Sequence, residues 1–551
     1  MSFKDIPTTT IIQETRHNLH YAKRGQVLED ESFAAVHGFE AERMRARALL
    51  TTEQEKKLLR RIDWHIMPLC ALMFLMKNLD ANNVANIRIM NRGTDQNILT
   101  QLAMNSDDYN LIPYIIAEAP SNLFLKRLLP SRWLSRIMVS WGVVTCCHAA
   151  VRNSQGLYAA RFFLGLMEAG MFPGVILQLC YWYRPDEMAR RLLYFYMLGN
   201  FSTVISGVFA FAFNGVSGKG GLSGWQWMFL VEGLLTIVTG EALFFLLPDF
   251  PSQAIWLTAD EKAFIEARLP GNSLNPEKRI SIWREIVEVM KDVKTWLFTF
   301  CWAFFTVGTT GLQFYLPTVI ADLGFTTIAR SQLLNIPTAI LTISFIVFGI
   351  WADTARIPRP LFPLAFMIII LACYSVLVTF PNTGGVYAAS ILATSLASSW
   401  YPMMWPWRVQ TTSKATGSAF SIGFVNSYGQ IGSAIGPQIF RSKYAPRYQT
   451  SFGVAMAMVG MAILTNLTTW WVTNDVEIET RKLKRARLEA SKRGEIVLDE
   501  VDFDGSHGAA KDVSGIQNLE HGTTSGASIN VVGSIRRGSV FYQQITTLKK
   551  A

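Results

Sequence analysis

Apolar runs of about 20 residues, separated by short polar clusters, recur along the chain from residue 64 to residue 472. As a helix, each run is long enough to cross the roughly 30 Å hydrocarbon core of a bilayer. Twelve such runs can be read, at 64–87, 109–129, 135–151, 157–179, 192–216, 227–247, 295–318, 333–352, 361–380, 386–407, 416–440 and 452–472. A longer polar stretch, 248–294, divides them six and six. Within it, Thr258 followed three residues later by Glu261 predicts a capping box that opens an exposed helix. The pattern predicts an all-α membrane protein of twelve transmembrane helices. Its parts would be an N-terminal segment (1–63), a first set of spans (64–247), a central loop (248–294), a second set (295–472) and a largely disordered tail (473–551), the disorder expected from the Gly, Ser and Asp content after about Leu488.

Composition agrees. Half of the 551 residues are hydrophobic and only 17% are charged, where soluble chains have about a quarter. The net charge of +10 could suggest a nucleic-acid partner, but the basic residues sit in short clusters between apolar runs, so none is expected. Lys56, Lys57, Arg60 and Arg61 precede the first run; Lys126, Arg127, Arg132 and Arg136 lie between the second and third. Arg184, Arg190 and Arg191 follow the fourth, and Arg481, Lys482, Lys484, Arg485 and Arg487 follow the last. The alternate loops are poorer, apart from Arg441, Lys443 and Arg447. This asymmetry places both termini in the cytoplasm. The polar first 55 residues are not a signal peptide, so the first run is expected to direct insertion. The six cysteines fall inside apolar runs and are expected to be free thiols. No phosphate loop, metal-ligand cluster or nucleophile elbow is present, so neither enzyme activity nor a metal or cofactor is expected.

Several runs carry ionised residues, each costing about 2.5–3.5 kcal/mol at mid-bilayer unless it meets a partner or water. They are Lys77 and Asp80 in the first run, Glu118 in the second, Arg161 and Glu168 in the fourth, and Glu232 and Glu241 in the sixth. The last six runs instead offer Gln313, Asn426, Gln430, Tyr315, Trp400 and Tyr401. One half can titrate; the other can stack and hydrogen-bond. Lys77 and Asp80 are three apart and can pair along one helix face. Arg161 and Glu168 are seven apart, about 10 Å along the axis, so each needs a partner on another helix or water. Gly165 and Ala169 beside them permit close helix approach. The plainer alternative is a buried ion network that only fixes helix geometry.

The segments RIDWHIMPLCALMFL…LDANNVANIRI, IIAEAPSNLFLKRLLPSRW, ARFFLGLMEAGMFPG and WQWMFLVEG…LLPDFP resemble the major facilitator superfamily. More closely they are similar to the fungal anion:cation symporters, among them allantoate, nicotinate and pantothenate permeases. The resemblance covers about 56–475. It implies two six-helix bundles around a central cavity, alternating access, and uptake of a small organic anion, a carboxylate of vitamin or ureide type, with protons. The expected setting is the plasma membrane and the expected form a monomer.

On that resemblance, Arg161, Glu168, Asp80 and Glu118 are candidates for proton coupling, and Arg161 matches the superfamily's coupling arginine. Substrate-binding candidates are Arg161, Lys77, Gln313, Tyr315, Trp400, Tyr401, Asn426 and Gln430. The superfamily's loop motif is recognisable after the eighth run at Gly349, Asp353 and Arg356, which the resemblance makes a conformational latch. Relatives usually read Leu-Asp-Arg in the first run, whereas here Ala81 follows Asp80 and the basic residue, Lys77, lies three positions earlier. Alternatives on the same fold are a nutrient sensor without net flux, a uniporter or an exporter.

Overall fold

The computed structural model describes residues 8–9, 12–14, 19–28, 41–104, 130–168, 170–269, 287, 289–322, 332–352, 357–380, 382–410, 424–426, 428–429, 431–440, 444 and 448–498. The described α-helices of eight residues or more, in chain order, are α1 (Ala41–Ala48), α2 (Thr52–Ile89), α3 (Pro130–Cys147), α4 (Ser154–Glu168), α5 (Met171–Trp182), α6 (Pro185–Val216) and α7 (Gly224–Leu246). They continue with α8 (Ala259–Arg268), α9 (Val293–Asp322), α10 (Ile336–Ala352), α11 (Leu361–Thr379), α12 (Thr383–Gln410), α13 (Gly432–Ile439) and α14 (Gln449–Arg493).

Their starts follow local chemistry. Thr51 and Gln54 close a capping box at α2, Ser223 and Gln226 do so at α7, and Thr258 and Glu261 form the box expected at α8. The fourth run is broken into α4 and α5 at Gly170, whose φ of 90° suits glycine. Six described segments meet a strict length-and-apolarity criterion for crossing a membrane, in α6, α7, α9, α10, α11 and α14. The first run carries Lys77 and Asp80, and the fourth is interrupted and carries Arg161 and Glu168. The second run, 109–129, lies outside the described residues.

In the first half α7 packs on α3 and α2 on α6; in the second, α9 packs on α13 and α14, and α11 on α12. A Cβ on Gly233 would stand 2.7 Å from the Gly142 carbonyl oxygen, so glycine is what lets α3 and α7 touch backbone to backbone. The halves meet where α6 packs on α10 and α12, and where α2 packs on α9. One apolar core runs through both, joined by Phe172 and Trp405 at 5.3 Å between ring centres.

The twelfth run does not stop at 472. Its helix, α14, continues to Arg493 and leads into a three-stranded antiparallel sheet, in which β1 (Ile12–Glu14) pairs with β2 (Leu19–Lys23) and β2 with β3 (Glu495–Val497). Residues 473–498, expected as the start of a disordered tail, are therefore ordered. Leu483, Ala486 and Ala490 recur at helical spacing and bury against Tyr21 and Val497.

Candidate functional site

In α4 the usual pattern of a soluble helix is reversed. Arg161 and Glu168 are only 4% and 7% exposed, while Phe162 and Phe163 between them are each 50% exposed. The charged face points inward and the apolar face outward, as expected of a helix whose outer solvent is lipid. The inward face borders a cavity of about 440 Å³ between the two halves.

The first half lines this cavity with Lys77, Asp80, Arg161 and Glu168. Besides the Lys77–Asp80 spacing along α2, ion pairs reach across to α4. Lys77 Nζ lies 3.9 Å from Glu168 Oε1, and Arg161 Nη1 lies 3.8 Å from Asp80 Oδ1. The pairs run across helices, as rungs between α2 and α4. Three residues of α2 span about 4.5 Å and seven of α4 about 10.5 Å, so the rungs must slant. That mismatch accounts for separations beyond hydrogen-bonding distance. Gly165 lines the cavity between the rungs; Ala169 is outside the described residues.

Arg161 is held by more than Asp80. Its Cζ sits 4.9 Å from the centre of the Phe229 ring, a cation–π contact. Its Nε and Nη2 have no hydrogen-bond partner among the described residues. His148 also packs on Phe229, fully buried with its ring centre 5.0 Å away, and its Nδ1 donates to the Val144 carbonyl at 2.8 Å.

One turn further along both helices a second polar layer follows. Asn83, three residues after Asp80, donates to Glu232, three residues after Phe229. Ser206 Oγ donates to Asn83 Oδ1 at 2.5 Å, and Asn86 Nδ2 donates to Ser206 Oγ at 2.7 Å. Asn86 lines the cavity. Glu232 is fully buried, and its Oε1 has no hydrogen-bond partner among the described residues. Among the described residues this cluster thus gathers three carboxyls, Asp80, Glu168 and Glu232, around two fixed cations, Lys77 and Arg161. Sequence reading singled out Glu232 as ionisable but gave it no role, and it passed over Asn83, Asn86, Ser206 and His148. The Asn-Asn-x-x-Asn spacing at 82, 83 and 86 was the available signal.

The second half contributes Gln313, Tyr401 and Asn426 to the lining, with Gln313 Nε2 3.4 Å from Ser398 Oγ. Trp400 and Tyr315 lie elsewhere. Trp400 is fully buried, stacked on Phe305 with ring centres 3.9 Å apart. Tyr315 packs against Phe440 and Tyr448 and carries the Arg88 guanidinium 4.1 Å above its ring. In place of these aromatics the wall presents hydroxyls: Thr310, Thr338, Thr342, Thr394 and Ser398. Thr338/Thr342 and Thr394/Ser398, each four apart, share helix faces toward the cavity. Gly349 stands where α10 meets α12 and α6: a Cβ there would collide with Met403 and lie 3.7 Å from Leu193. Glu118, Gln430, Asp353 and Arg356 lie outside the described residues.

Contacts between the halves frame the cavity at both ends. Toward the start of α2, Phe172 of the first half meets Trp405 of the second; within the first half Phe74 backs this contact, stacked on Phe195 at 4.3 Å and edge-on to Tyr196 at 4.8 Å. Toward the end of α2, Arg88 donates to Thr318 on α9 and covers Phe314 and Tyr315. Arg88 was not among the expected site residues.

The Major Facilitator Superfamily sequence profile matches residues 97–437. The chain is 29% identical over 434 residues to the MFS-type transporter cnsO of Penicillium expansum, covering 76% of this chain and 83% of that protein. It is 26% identical over 471 residues to the major facilitator-type transporter hxnP of Emericella nidulans, covering 82% and 90%. The crystal structure of the Escherichia coli fucose:proton symporter FucP superposes with a TM-score of 0.52 at 14% identity, over 74% of this chain and 99% of FucP.

Proposed function

This chain belongs to the Major Facilitator Superfamily, integral membrane transporters built of two six-helix bundles, and from that membership we propose that it imports a small organic anion together with protons by alternating access. The observation that carries this reading is the pair of crossed, open ion pairs on the cavity wall, Lys77–Glu168 and Arg161–Asp80. The Arg161–Asp80 pair is not closed to hydrogen-bonding distance, so a carboxylate entering the cavity can take over the Arg161 guanidinium in a bidentate bond, with Lys77 as further positive charge.

That exchange supports coupling. A carboxyl that loses its cation while buried is costly as an anion and is stabilised by taking a proton. The three carboxyls already outnumber the two cations by one; a bound monoanion raises the excess to two. Protonation of Asp80 or Glu168 then accompanies substrate, and the chain need not carry net negative charge against an inside-negative potential, a cost of about 2.3 kcal/mol per charge per 100 mV. The hydroxyl and amide wall of the second half suits the neutral polar remainder of such a substrate. The basic clusters at the α2 N-terminal end support cytoplasmic termini, and proton-driven uptake suits the plasma membrane.

The test is uptake of a panel of radiolabelled carboxylates by a transporter-deficient yeast expressing the full chain, at pH 5 and pH 7, with and without a protonophore. Acid-stimulated, protonophore-sensitive accumulation of at least one acid is expected. Accumulation indifferent to both would exclude proton symport.

A further inference from the structure

At the end of the molecule where α2 begins, four arginines from distant parts of the chain converge. Arg47 lies at the end of α1, Arg184 is the N-cap residue of α6, Arg268 ends α8, and Arg487 lies on α14. Arg47 and Arg268 are 1% exposed and Arg184 7%. Arg47 Nε donates to the Ala267 carbonyl at 2.6 Å, and Arg184 Nε to the Arg268 carbonyl at 2.9 Å. Two guanidiniums thus sit on consecutive carbonyls at the negative end of the α8 dipole. Arg47 Nη1 also donates to the Leu498 carbonyl at 3.1 Å.

The acidic partners here are Glu55 and Glu187, and both are engaged. Arg268 bonds to each of them, Arg24 shares Glu55, and Arg191 shares Glu187. Arg184 is left with the single hydrogen bond from its Nε, and among the described residues no carboxylate lies within ion-pair distance of it. Its position adds to the imbalance. It stands at the N-terminus of a 32-residue helix, with no side-chain hydrogen bond at the cap, where the helix dipole is positive. Burial, and then the like charges of Arg487, Arg268 and Arg47, hold the Arg184 guanidinium down at about 9, against the opposing pull of Glu187.

We propose that this arginine cluster is a binding site for a phosphate-type oxyanion, with the terminal nitrogens of Arg184 as its donors and Arg47, Arg268 and Arg487 as the surrounding charge. Guanidinium forks match phosphate oxygens in geometry, and a buried cation without a counter-ion is the condition such an anion relieves. A free phosphate and a phospholipid headgroup present the same chemistry. Because α1, α6, α8 and α14 all contribute, the occupant fastens the N-terminal segment, the central loop and the last helix to the first half. The site lies apart from the central cavity and does not depend on what is transported.

The experiment uses the purified full chain. Equilibrium dialysis with radiolabelled inorganic phosphate at fixed ionic strength reads the free source. Native mass spectrometry of protein released from nanodiscs of phosphatidylcholine, with or without phosphatidylinositol 4-phosphate, reads the lipid source. Saturable binding of about one equivalent from either source is expected, reduced tenfold or more in Arg184→Gln and unchanged in Arg161→Gln. The first comparison needs only the wild-type chain, so a variant that fails to fold does not block the test. Absence of saturable binding from both sources overturns the proposal. So does binding that survives Arg184→Gln but is lost in Arg161→Gln, which would put the anion in the central cavity.

Discussion

Arg161 on α4 faces Asp80 on α2 across 3.8 Å, and both side chains are nearly sealed from solvent. Each is the other's counter-charge, yet the gap leaves Arg161 able to turn to a ligand. Removing either strands the other, with a cost of about 3–5 kcal/mol for a buried pair broken on one side. Arg161→Ala is therefore expected to lower uptake by tenfold or more, because a charge-assisted bond worth about 1.5–3 kcal/mol is lost to substrate as well. Uptake normalised to surface-expressed protein, measured by biotinylation, separates this from poor folding. Near-normal normalised uptake would leave Arg161 a packing residue.

Asp80→Asn should behave differently. The amide keeps the shape and cannot titrate, and Arg161 is freed for substrate. Exchange of labelled for unlabelled substrate should persist, while accumulation against a gradient falls severalfold and its difference between pH 5 and pH 7 shrinks. Unchanged acid stimulation in this variant would move the proton to Glu168 or Glu232.

Glu232 offers the sharper discrimination. Its Oε2 accepts from Asn83, and its buried Oε1 has no hydrogen-bond partner among the described residues. Glu232→Gln preserves volume and the acceptor oxygen but removes the third carboxyl from a cluster with two cations. Expression should remain close to wild type, and the pH–uptake curve should shift or flatten, since Asp80 and Glu168 would then balance Lys77 and Arg161 without a further proton. A pH–uptake curve superimposable on wild type would make Glu232 a structural hydrogen-bond acceptor.

The sequence disclosed several of the buried charges, Asp80, Arg161, Glu168 and Glu232, but not how they pair. Seven-residue spacing on α4 was enough to infer that Arg161 and Glu168 need separate partners, and they have them. The partners themselves depend on α2 lying beside α4, which no local pattern contains. Trp400 and Tyr315 show the converse limit. An aromatic in a membrane helix can face a cavity, a neighbour or lipid at similar cost, and here stacking on Phe305 and beneath Arg88 decided it. The extension of α14 was readable: Leu483, Ala486 and Ala490 form a helical stripe, hidden by polar composition and by a partner surface, Tyr21, more than 450 positions away.

At the end of α2 opposite the basic clusters, Arg88 ties α2 to α9 by donating to Thr318 and covering Tyr315. In Arg88→Ala the α2–α9 contact loses both a charge-assisted bond and a cation–π contact, together about 2–4 kcal/mol. A cysteine placed at Leu316, on the cavity lining beside this contact, should then react severalfold faster with a membrane-impermeant thiol reagent than the same cysteine with Arg88 and Thr318 intact. Equal rates would show that other contacts hold this end closed.

At the basic end, Arg24 joins the terminal sheet to the first half: its Nε donates to the Glu495 carbonyl at 3.0 Å and its Nη1 bonds Glu55, which also bonds Arg268. Burial alone would raise the Glu55 pKa, but the charges of Arg24, Arg268 and Arg184 outweigh it and hold the carboxyl below its ordinary 4.5. A carboxyl with a depressed folded-state pKa binds its proton more readily when unfolded. Its contribution to stability is therefore complete above about 4.5 and drains away as pH falls through the lower folded value. Hydrogen–deuterium exchange of 19–24 and 495–498 reads this directly. In wild type, protection of these amides, corrected for intrinsic exchange, should be level from pH 7 to pH 5 and decline below 4.5. Glu55→Gln should start less protected at neutral pH and lose less on acidification, so that the two converge in acid. Other carboxyls titrate over the same range in both proteins, so the difference between them isolates Glu55. Identical profiles at every pH would show that the sheet is held by its backbone pairing and the Tyr21 cluster alone.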